Sequence, residues 1–178
     1  MRRMLRRVVL LSAALLAACV QLPDGVQPVQ NFSLPAYLGQ WHEVARLDHR
    51  FERGLTQVTA TYSLREDDGV RVRNKGFDTQ TQQWKEAEGK AYFVEDEHTG
   101  YLKVSFFGPF YGAYIIFALD QDYQYSFVSG PDTDYLWLLS RTPTVSDAVK
   151  QQFIREAQAR GFDTQALIWL DNRDANAP

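Results

Sequence analysis

The chain is poor in the residues on which most enzymes and disulfide-stabilised proteins depend. It has one cysteine, Cys19, in 178 residues, so no internal disulfide can form. Its histidines, His42, His49 and His98, show no metal-ligand spacing, and there is no G-x-S-x-G motif or P-loop. His42 and Glu43 are adjacent on a predicted strand, so they point to opposite faces and make a poor catalytic pair. These absences predict a protein without catalytic activity, metal or cofactor.

Long apolar runs are also missing, apart from one near the amino terminus. Residues 8–18 are apolar and end in small residues, and they follow arginines at positions 2, 3, 6 and 7. The run is too short for a spanning helix, and its basic flank is typical of a secretory signal, so we expect residues 1–18 to be removed. The rest of the chain holds 15 Lys and Arg against 22 Asp and Glu, a formal net charge of −7. Such a charge argues against nucleic acid as a partner.

The residues around Cys19 indicate a lipid anchor. Leu15 to Cys19, LLAAC, resembles the bacterial lipobox, in which the thiol is diacylated and the signal is cut before the cysteine. An ordinary signal with a leftover thiol is the alternative. The resemblance implies stable anchoring through several acyl chains on Cys19. Because Val20 rather than an aspartate follows, it also implies the periplasmic face of the bacterial outer membrane.

Residues 19–34 contain two prolines and a glycine and have no hydrophobic period. We expect them to form a flexible tether, roughly 40 Å long when extended.

From residue 35 to residue 178 the pattern is that of one all-β domain. Eight short segments with short connections favour antiparallel hairpins; they are residues 39–47, 56–64, 70–77, 84–93, 101–107, 113–119, 123–129 and 134–141. Residues 144–161 have apolar positions at i, i+4 spacing, which predicts one C-terminal amphipathic helix, and residues 166–170 predict a short final strand. Eight strands in up-and-down order predict a closed antiparallel barrel, with room inside for side chains or one small ligand.

Two motifs on these strands resemble those of the lipocalin family. Gly39-Gln40-Trp41 is similar to the G-x-W motif of the first strand, and LSRTP, residues 139–143, is similar to the motif that ends the eighth. DHRFERG, KVSFFGPFYG and DYLWLLSRTP are most similar to the bacterial outer-membrane lipocalins. The first and eighth strands of such a barrel are neighbours. We therefore expect Trp41 and Arg141 to form a cation–π contact of about 1–2 kcal/mol that plugs the closed end.

A third lipocalin motif is only partly present. Lipocalins often carry T-D-Y between the sixth and seventh strands. The match by position is LDQDY, residues 119–123, which keeps Asp120 and Tyr123 but lacks the threonine, whereas Thr133-Asp134-Tyr135 starts the eighth strand at the opposite end. The predicted closed-end residues are Gly39, Trp41, Asp120, Tyr123 and Arg141, and the missing threonine implies that their network differs from the family's.

Alternation along the strands predicts which side chains line the interior. The candidate ligand-binding residues are Tyr62, Asn74, Val104, Phe106, Tyr114, Ile116 and Trp137. The lipocalin resemblance implies that Tyr62, Asn74 and Trp137 face the cavity, and Gly89 and Ala91 leave space. A fatty-acyl chain fits such a site, with Asn74 and the two tyrosine hydroxyls available to a head group. Plain packing of the barrel is the alternative for every one of these residues.

The aromatic stretch FFGPFYG, residues 106–112, falls at the open end of the expected barrel. Phe106 is predicted to point inward, and Phe110 and Tyr111 to line the entrance or face outward. They form an apolar rim for lipid entry or for a partner, or they pack beneath the first loop. The aromatic mouth permits a homodimer without requiring one.

Three functions remain open at this point. The first is a membrane-anchored protein that carries or stores fatty acids or lysophospholipids in the cell envelope. The second is an interaction protein whose barrel is filled by its own side chains. The third, a lipid-modifying enzyme, lacks a nucleophile–base pair or metal in the sequence.

Overall fold

A computed structural model describes residues 20–170 and residue 172. The predicted signal, residues 1–18, and the predicted acylation site, Cys19, lie outside the described residues. Among the described residues, no helix is both long enough and apolar enough to cross a membrane.

The described residues form an antiparallel barrel with one long helix after it. A short helix α1 (Leu34–Tyr37) precedes the strands, and α2 (Asp147–Gln158) and a 3₁₀ turn (Thr164–Ala166) follow them. The strands are β1 (Gly39–Arg46), β2 (Leu55–Leu64), β3 (Val70–Asp78), β4 (Gln83–Phe93), β5 (Tyr101–Phe107), β6 (Phe110–Leu119), β7 (Tyr125–Ser129), β8 (Leu136–Ser140) and β9 (Ile168–Trp169). Each strand from β1 to β8 pairs with the next, and β8 pairs with β1, which closes the barrel. The predicted eight-stranded barrel, helix and final strand are confirmed.

The seam between β1 and β2 is incomplete. Their ladder covers only the first half of β1, from Gly39 opposite Tyr62 to His42 opposite Thr59. The second half of the same edge, Ala45 and Arg46, pairs instead with β9. A bulge between Glu43 and Ala45 shifts the register of β1 against β8, so alternation counted from Trp41 does not continue past the bulge.

The two ends of the barrel differ. The end where β1 starts is plugged by α1, and we call it the closed end. The opposite end, the open end, carries the connections at residues 47–54, 79–82, 108–109 and 130–135. The β5–β6 connection is tighter than expected from the sequence, since β6 begins at Phe110, directly opposite Phe107, rather than at Ala113.

Apolar side chains form two layers, one on each side of the barrel wall. The interior layer includes Trp41, Tyr62 and Leu102. The outer layer lies between the wall and α2, where Phe153 and Ala157 of the helix are fully buried against strand residues such as Phe127. Ser146 caps the helix by accepting a hydrogen bond from the Val149 amide. The helix therefore supports the wall from outside and leaves the interior free.

The expected flexible tether differs from the structure. From Val20 onward the chain lies against the barrel: Val26 is fully buried in the outer layer and Phe32 is buried in the interior layer. The Val29 amide donates to the Ile116 carbonyl at 2.8 Å, and the Gly100 amide donates to the Val29 carbonyl at 2.9 Å. Apolar burial and strand-like hydrogen bonds hold the segment, so residues 20–34 are not a free spacer.

Candidate functional site

A cavity occupies the barrel from the floor made by α1 to the open end. The free space among its lining atoms is about 820 Å³, a volume that includes the solvent-filled mouth. Most lining residues are apolar. They include Val58, Val70, Val72, Ala91, Leu102, Val104, Phe106, Val128 and Leu139. Because these side chains leave room between them, the barrel is not filled by its own residues.

Three tyrosines make the floor of the cavity polar, and their hydroxyl groups form hydrogen bonds with one another. The Tyr114 hydroxyl lies 2.8 Å from the Tyr37 hydroxyl and 2.8 Å from the Tyr62 hydroxyl, and Tyr37 is also 3.2 Å from Ser126 Oγ. Burial raises the pKa of Tyr37 to about 12, and it raises the pKa values of Tyr62 and Tyr114 well above the ordinary range. The hydroxyls are therefore neutral and hydrogen-bonded to one another, which makes them poor partners for a charged head group.

Ionisable side chains gather higher in the cavity, toward the open end. Glu43 and Glu52 both line it. Arg46 Nη1 donates to Glu43 Oε1 at 2.6 Å, while Glu52 Oε2 lies 2.9 Å from His49 Nε2 and accepts from Trp137 Nε1 at 3.1 Å. We call these four residues, Glu43, Arg46, His49 and Glu52, the polar cluster.

The two carboxyl groups of the polar cluster behave differently. Burial and the neighbouring Glu52 carboxyl raise the pKa of Glu43 well above its ordinary value, against the opposing effect of Arg46. Burial also acts to raise the pKa of Glu52, but the close contact with His49, the hydrogen bond from Trp137 and the charge of Arg46 outweigh it, so the pKa of Glu52 falls below its ordinary value. Glu43 therefore keeps its proton more readily, and Glu52 presents a carboxylate to the cavity.

Arg46 also bridges the part of the seam between β1 and β2 where the strand ladder is missing. Its Nη2 donates to the Glu52 carbonyl at 2.8 Å and to the Leu55 carbonyl at 3.1 Å, beyond the point where the β1–β2 ladder ends. A planar guanidinium with several donors can satisfy these carbonyls together. Arg46 thereby holds the first loop, with Glu52, over the mouth.

Most of the sequence-predicted ligand residues lie on the cavity surface. Tyr62, Asn74, Val104, Phe106, Tyr114 and Trp137 line it. Ile116 is the exception: it belongs to the interior layer but is fully buried and is not among the lining residues. Its backbone bonds to Val29 and Gly100 place it under the docked amino-terminal segment. Asn74 Oδ1 is buried without a hydrogen-bond partner among the described residues, so it remains available to a ligand donor.

The closed-end residues lie together. Arg141 Cζ lies 3.9 Å from the centroid of a Trp41 ring, and the guanidinium donates to the carbonyls of Ala36, Leu38 and Gln40 at 2.8–2.9 Å. Gly39 has a φ of 95°, and a side chain there would lie 3.4 Å from Arg141 Nη1.

The β6–β7 turn joins the same closed end despite its missing threonine. Asp120 Oδ1 accepts from the amides of Gln124 and Tyr125 at 2.6 and 2.7 Å, and the Tyr123 hydroxyl accepts from the Ser33 amide at 2.9 Å. The literal T-D-Y lies at the open end, where Tyr135 packs against Trp137.

Sequence reasoning missed the polar cluster. Glu43 shares the alternation of Trp41, so its inward direction was available from the pattern. The inward direction of Arg46 could not be read from the pattern, because it results from the bulge in β1. Glu52 belongs to a loop whose path depends on Arg46. Within residues 20–170 and 172, no group of His, Cys, Asp and Glu side chains is arranged to hold a metal ion.

The aromatic rim is largely solvent-exposed. Phe107 and Phe110 are each 75% exposed, and Phe51 in the first loop is 61% exposed. Phe106 points into the cavity as expected, and Tyr111 packs beside Tyr92 with their ring centroids 6.4 Å apart. The two exposed phenylalanines therefore do not pack beneath the first loop.

Comparison with known proteins agrees with this architecture. Residues 32–172 match the family described as lipocalin-like domain. The chain is 56% identical over 165 residues to the outer membrane lipoprotein Blc of Vibrio cholerae, covering 92% of this chain and 96% of that protein. It is 54% identical over 161 residues to the protein of the same name from Escherichia coli, covering 89% and 91%.

A solved structure matches at the level of the fold. Insecticyanin from the tobacco hornworm superposes with a TM-score of 0.67 over 85% of this chain and 86% of that one, at 21% identity.

Proposed function

The chain belongs to the lipocalin family, and from this premise we propose that it binds a lipid with one acyl chain, a fatty acid or a lysophospholipid, and carries or stores it in the bacterial envelope. Members of the family are typically binding proteins rather than enzymes. The protein is a lipid-anchored protein of the outer membrane, in agreement with two relatives of 56% and 54% identity that are named outer membrane lipoprotein. We propose acylated Cys19 as the anchor and the periplasmic face as its side.

The observation that carries this proposal is the shape and lining of the cavity. It is open at one end, closed at the other, and bounded mainly by aliphatic and aromatic side chains. Burial of an acyl chain there gains about 0.8 kcal/mol per methylene before ordering costs. Apolar walls around a narrow space suit a single chain, and binding requires no chemistry on the ligand.

The polar cluster supports a direction and a preference for the bound lipid. The floor hydroxyls are satisfied among themselves, whereas Glu52 presents a carboxylate near the mouth. The methyl end of the chain therefore enters first, and the head group stops near Glu52. A fatty-acid carboxylate is repelled there, while the ammonium group of lysophosphatidylethanolamine is attracted.

Titrations of the chain from Val20 onward with palmitate and with lysophosphatidylethanolamine, each followed by tryptophan fluorescence, test the binding. We expect a saturable change at micromolar concentrations or below, weakened in Trp137→Ala. Trp169→Ala is the matched control, because Trp169 lies outside the barrel, 39% exposed, and its loss should leave the affinity unchanged. The absence of any saturable change with either lipid class in folded protein would refute the proposal and favour an interaction protein.

Glu52→Gln tests the preference between head groups. Removing the carboxylate should bring the affinities for palmitate and lysophosphatidylethanolamine closer by roughly 1 kcal/mol, about fivefold. An unchanged ratio of the two dissociation constants would contradict a head group at Glu52 while leaving the acyl-chain site intact.

A further inference from the structure

The hairpin that joins β5 and β6 projects two large apolar side chains from the open end. Phe107 and Phe110 face each other across Gly108-Pro109 and are each 75% exposed. Exposed aromatic residues at one hairpin tip form an apolar patch, and such patches mark contact sites.

The outer wall behind this tip is aromatic and basic. Lys103 Nζ lies 5.3 Å from the centroid of the Tyr111 ring, and Tyr111 packs beside Tyr92 of β4. Lys90 of β4 adjoins the same strand, opposite Ser105. Toward the open end, the outward positions of β5 and β6 carry no acidic residue: Phe107 is exposed, Lys103 and Tyr111 are partly exposed, and Ser105 is buried. Toward the closed end, Tyr101, Ala113 and Ile115 are buried in the outer layer. On β4, Glu88 is paired with Arg71 at 3.3 Å.

This basic character is local. Without residues 1–18 the chain has a formal net charge of −7, whereas the one charged residue of β5 and β6 is Lys103, and Lys90 lies beside β5 on β4. Lysines beside exposed phenylalanines and tyrosines suit the boundary between anionic lipid head groups and acyl chains.

The amino-terminal segment reaches the same wall. The Val20 carbonyl accepts a hydrogen bond from the Tyr101 hydroxyl, and Val20 and Leu22 pack against the outer layer that includes Tyr101 and Ala113. Val20 directly follows Cys19, the proposed site of acylation. Tyr101 and Phe107 are the two ends of β5, roughly 20 Å apart at about 3.4 Å per residue. The segment that leads to the anchor and the exposed hairpin are thus on one strand pair.

We propose that the open-end half of the outer wall of β5 and β6, the Phe107–Phe110 hairpin with Lys103 and Tyr111 behind it, lies on the anionic bilayer in which the protein is anchored. The barrel leans on this wall, Lys90 and Lys103 meet lipid phosphates, and the hairpin inserts at the head-group level, so that the mouth opens beside the bilayer surface. Phe51 lies in the loop between β1 and β2, which are across the barrel from β5 and β6. The inference rests on the lipid anchor and not on ligand binding.

Two positions at the open end form a matched pair for the test. Phe110→Cys and Phe51→Cys each replace an exposed aromatic residue with a cysteine. Cys19 is the chain's single natural cysteine, and its thiol is blocked in the acylated protein, so only the introduced thiol can be labelled. Each variant of the full lipoprotein is labelled with an environment-sensitive fluorophore and reconstituted into vesicles of phosphatidylethanolamine and phosphatidylglycerol. Quenching by aqueous iodide and by nitroxide-labelled lipids is then measured.

We expect the label at position 110 to lose iodide quenching and to gain quenching by nitroxide lipid, and the label at position 51 to remain open to iodide. Equal protection of both labels would mean a mouth-down barrel, and equal exposure would mean no bilayer contact; either overturns the proposal. Protection at 110 that disappears when the protein is diluted in the vesicles would show that a second copy covers the hairpin, which also overturns it.

Charge reversal tests the role of the lysines. Lys90→Glu with Lys103→Glu should restore iodide quenching at position 110, whereas Lys150→Glu with Arg155→Glu, the same change in charge on α2, should not. Unchanged protection in the first variant would contradict the lysine contact. A lysophospholipid titration of the same labelled protein reads ligand binding separately, so a failed titration with a protected hairpin overturns lipid carriage and leaves the orientation standing.

Discussion

Arg141→Lys should destabilise the barrel far more than a change that keeps the charge normally does. The Arg141 guanidinium lies over Trp41 and donates to the carbonyls of Ala36, Leu38 and Gln40, with a longer bond from Nε to the Tyr123 carbonyl at 3.3 Å. A lysine ammonium keeps the charge but cannot reproduce a planar fork that serves several carbonyls and stacks on an indole.

The magnitude follows from the bonds that are lost. Two to three hydrogen bonds at roughly 0.5–1 kcal/mol each, reduced because the site is partly exposed, and about 1 kcal/mol of the cation–π contact give a loss of about 2–4 kcal/mol. For a domain of this size, that loss lowers the melting temperature by roughly 5–15 °C.

Urea unfolding followed by tryptophan fluorescence measures the change. Arg155→Lys is the matched control, because Arg155 is exposed on α2, and it should alter the free energy of unfolding by less than about 0.5 kcal/mol. In a Trp41→Phe background, Arg141→Lys should cost less than in the native chain, since part of its contact is already gone. If Arg141→Lys costs no more than Arg155→Lys, the closed-end plug does not stabilise the barrel and the reasoning fails.

Two further predictions concern the polar cluster and the docked segment. Because the pKa of Glu43 is raised in the folded protein, its protonated carboxyl contributes stability below its unfolded pKa, and this contribution is lost as pH rises through the raised folded pKa. Urea midpoints of Glu43→Gln should therefore fall less than those of the native chain as pH rises above about 4.5; parallel pH profiles would contradict the shift. Val26→Ala should lower the free energy of unfolding by about 1–2 kcal/mol. Val94→Ala is the control and should change it little, because Val94 is exposed. Equally small effects of the two substitutions would indicate that residues 20–34 form a free tether.

The strands could be predicted because their signal is local. Alternation in β2 and β3 and the turn between them are encoded within a few residues of each other, and strand order follows from short connections. The contact of Trp41 with Arg141 also followed, since closure of an eight-stranded barrel makes β1 and β8 neighbours.

What could not be predicted depends on contacts between distant residues. The bulge in β1 is visible only against the register of β8, and it alone decides that Arg46 points inward. Val26 and Phe32 are single apolar residues among prolines and polar residues, so the segment shows no period from which docking could be inferred, although both are buried. The sequence predicts that the Tyr62 and Tyr114 hydroxyls are available to a head group. In the structure they form a hydrogen bond with each other, and Tyr114 forms a second one with the Tyr37 hydroxyl of α1, a contact that no local pattern indicates.

Closing the barrel wall with the polar cluster carries an unfavourable desolvation free energy, which suggests that the cluster has a role besides stability. Burying carboxyl groups and a guanidinium in a lipid-binding cavity demands desolvation that their mutual attraction barely offsets, and a well-packed apolar set is often as stable or more so. Arg46 alone would suffice to bridge the open seam through the Glu52 and Leu55 carbonyls. The Glu52 side chain adds nothing to that bridge: it faces the cavity and is held as a carboxylate by His49 and Trp137. A fixed negative charge beside an apolar cavity discriminates between head groups while the walls bind the chain, and so the seam that weakens the barrel is also where ligand selectivity is expected to arise.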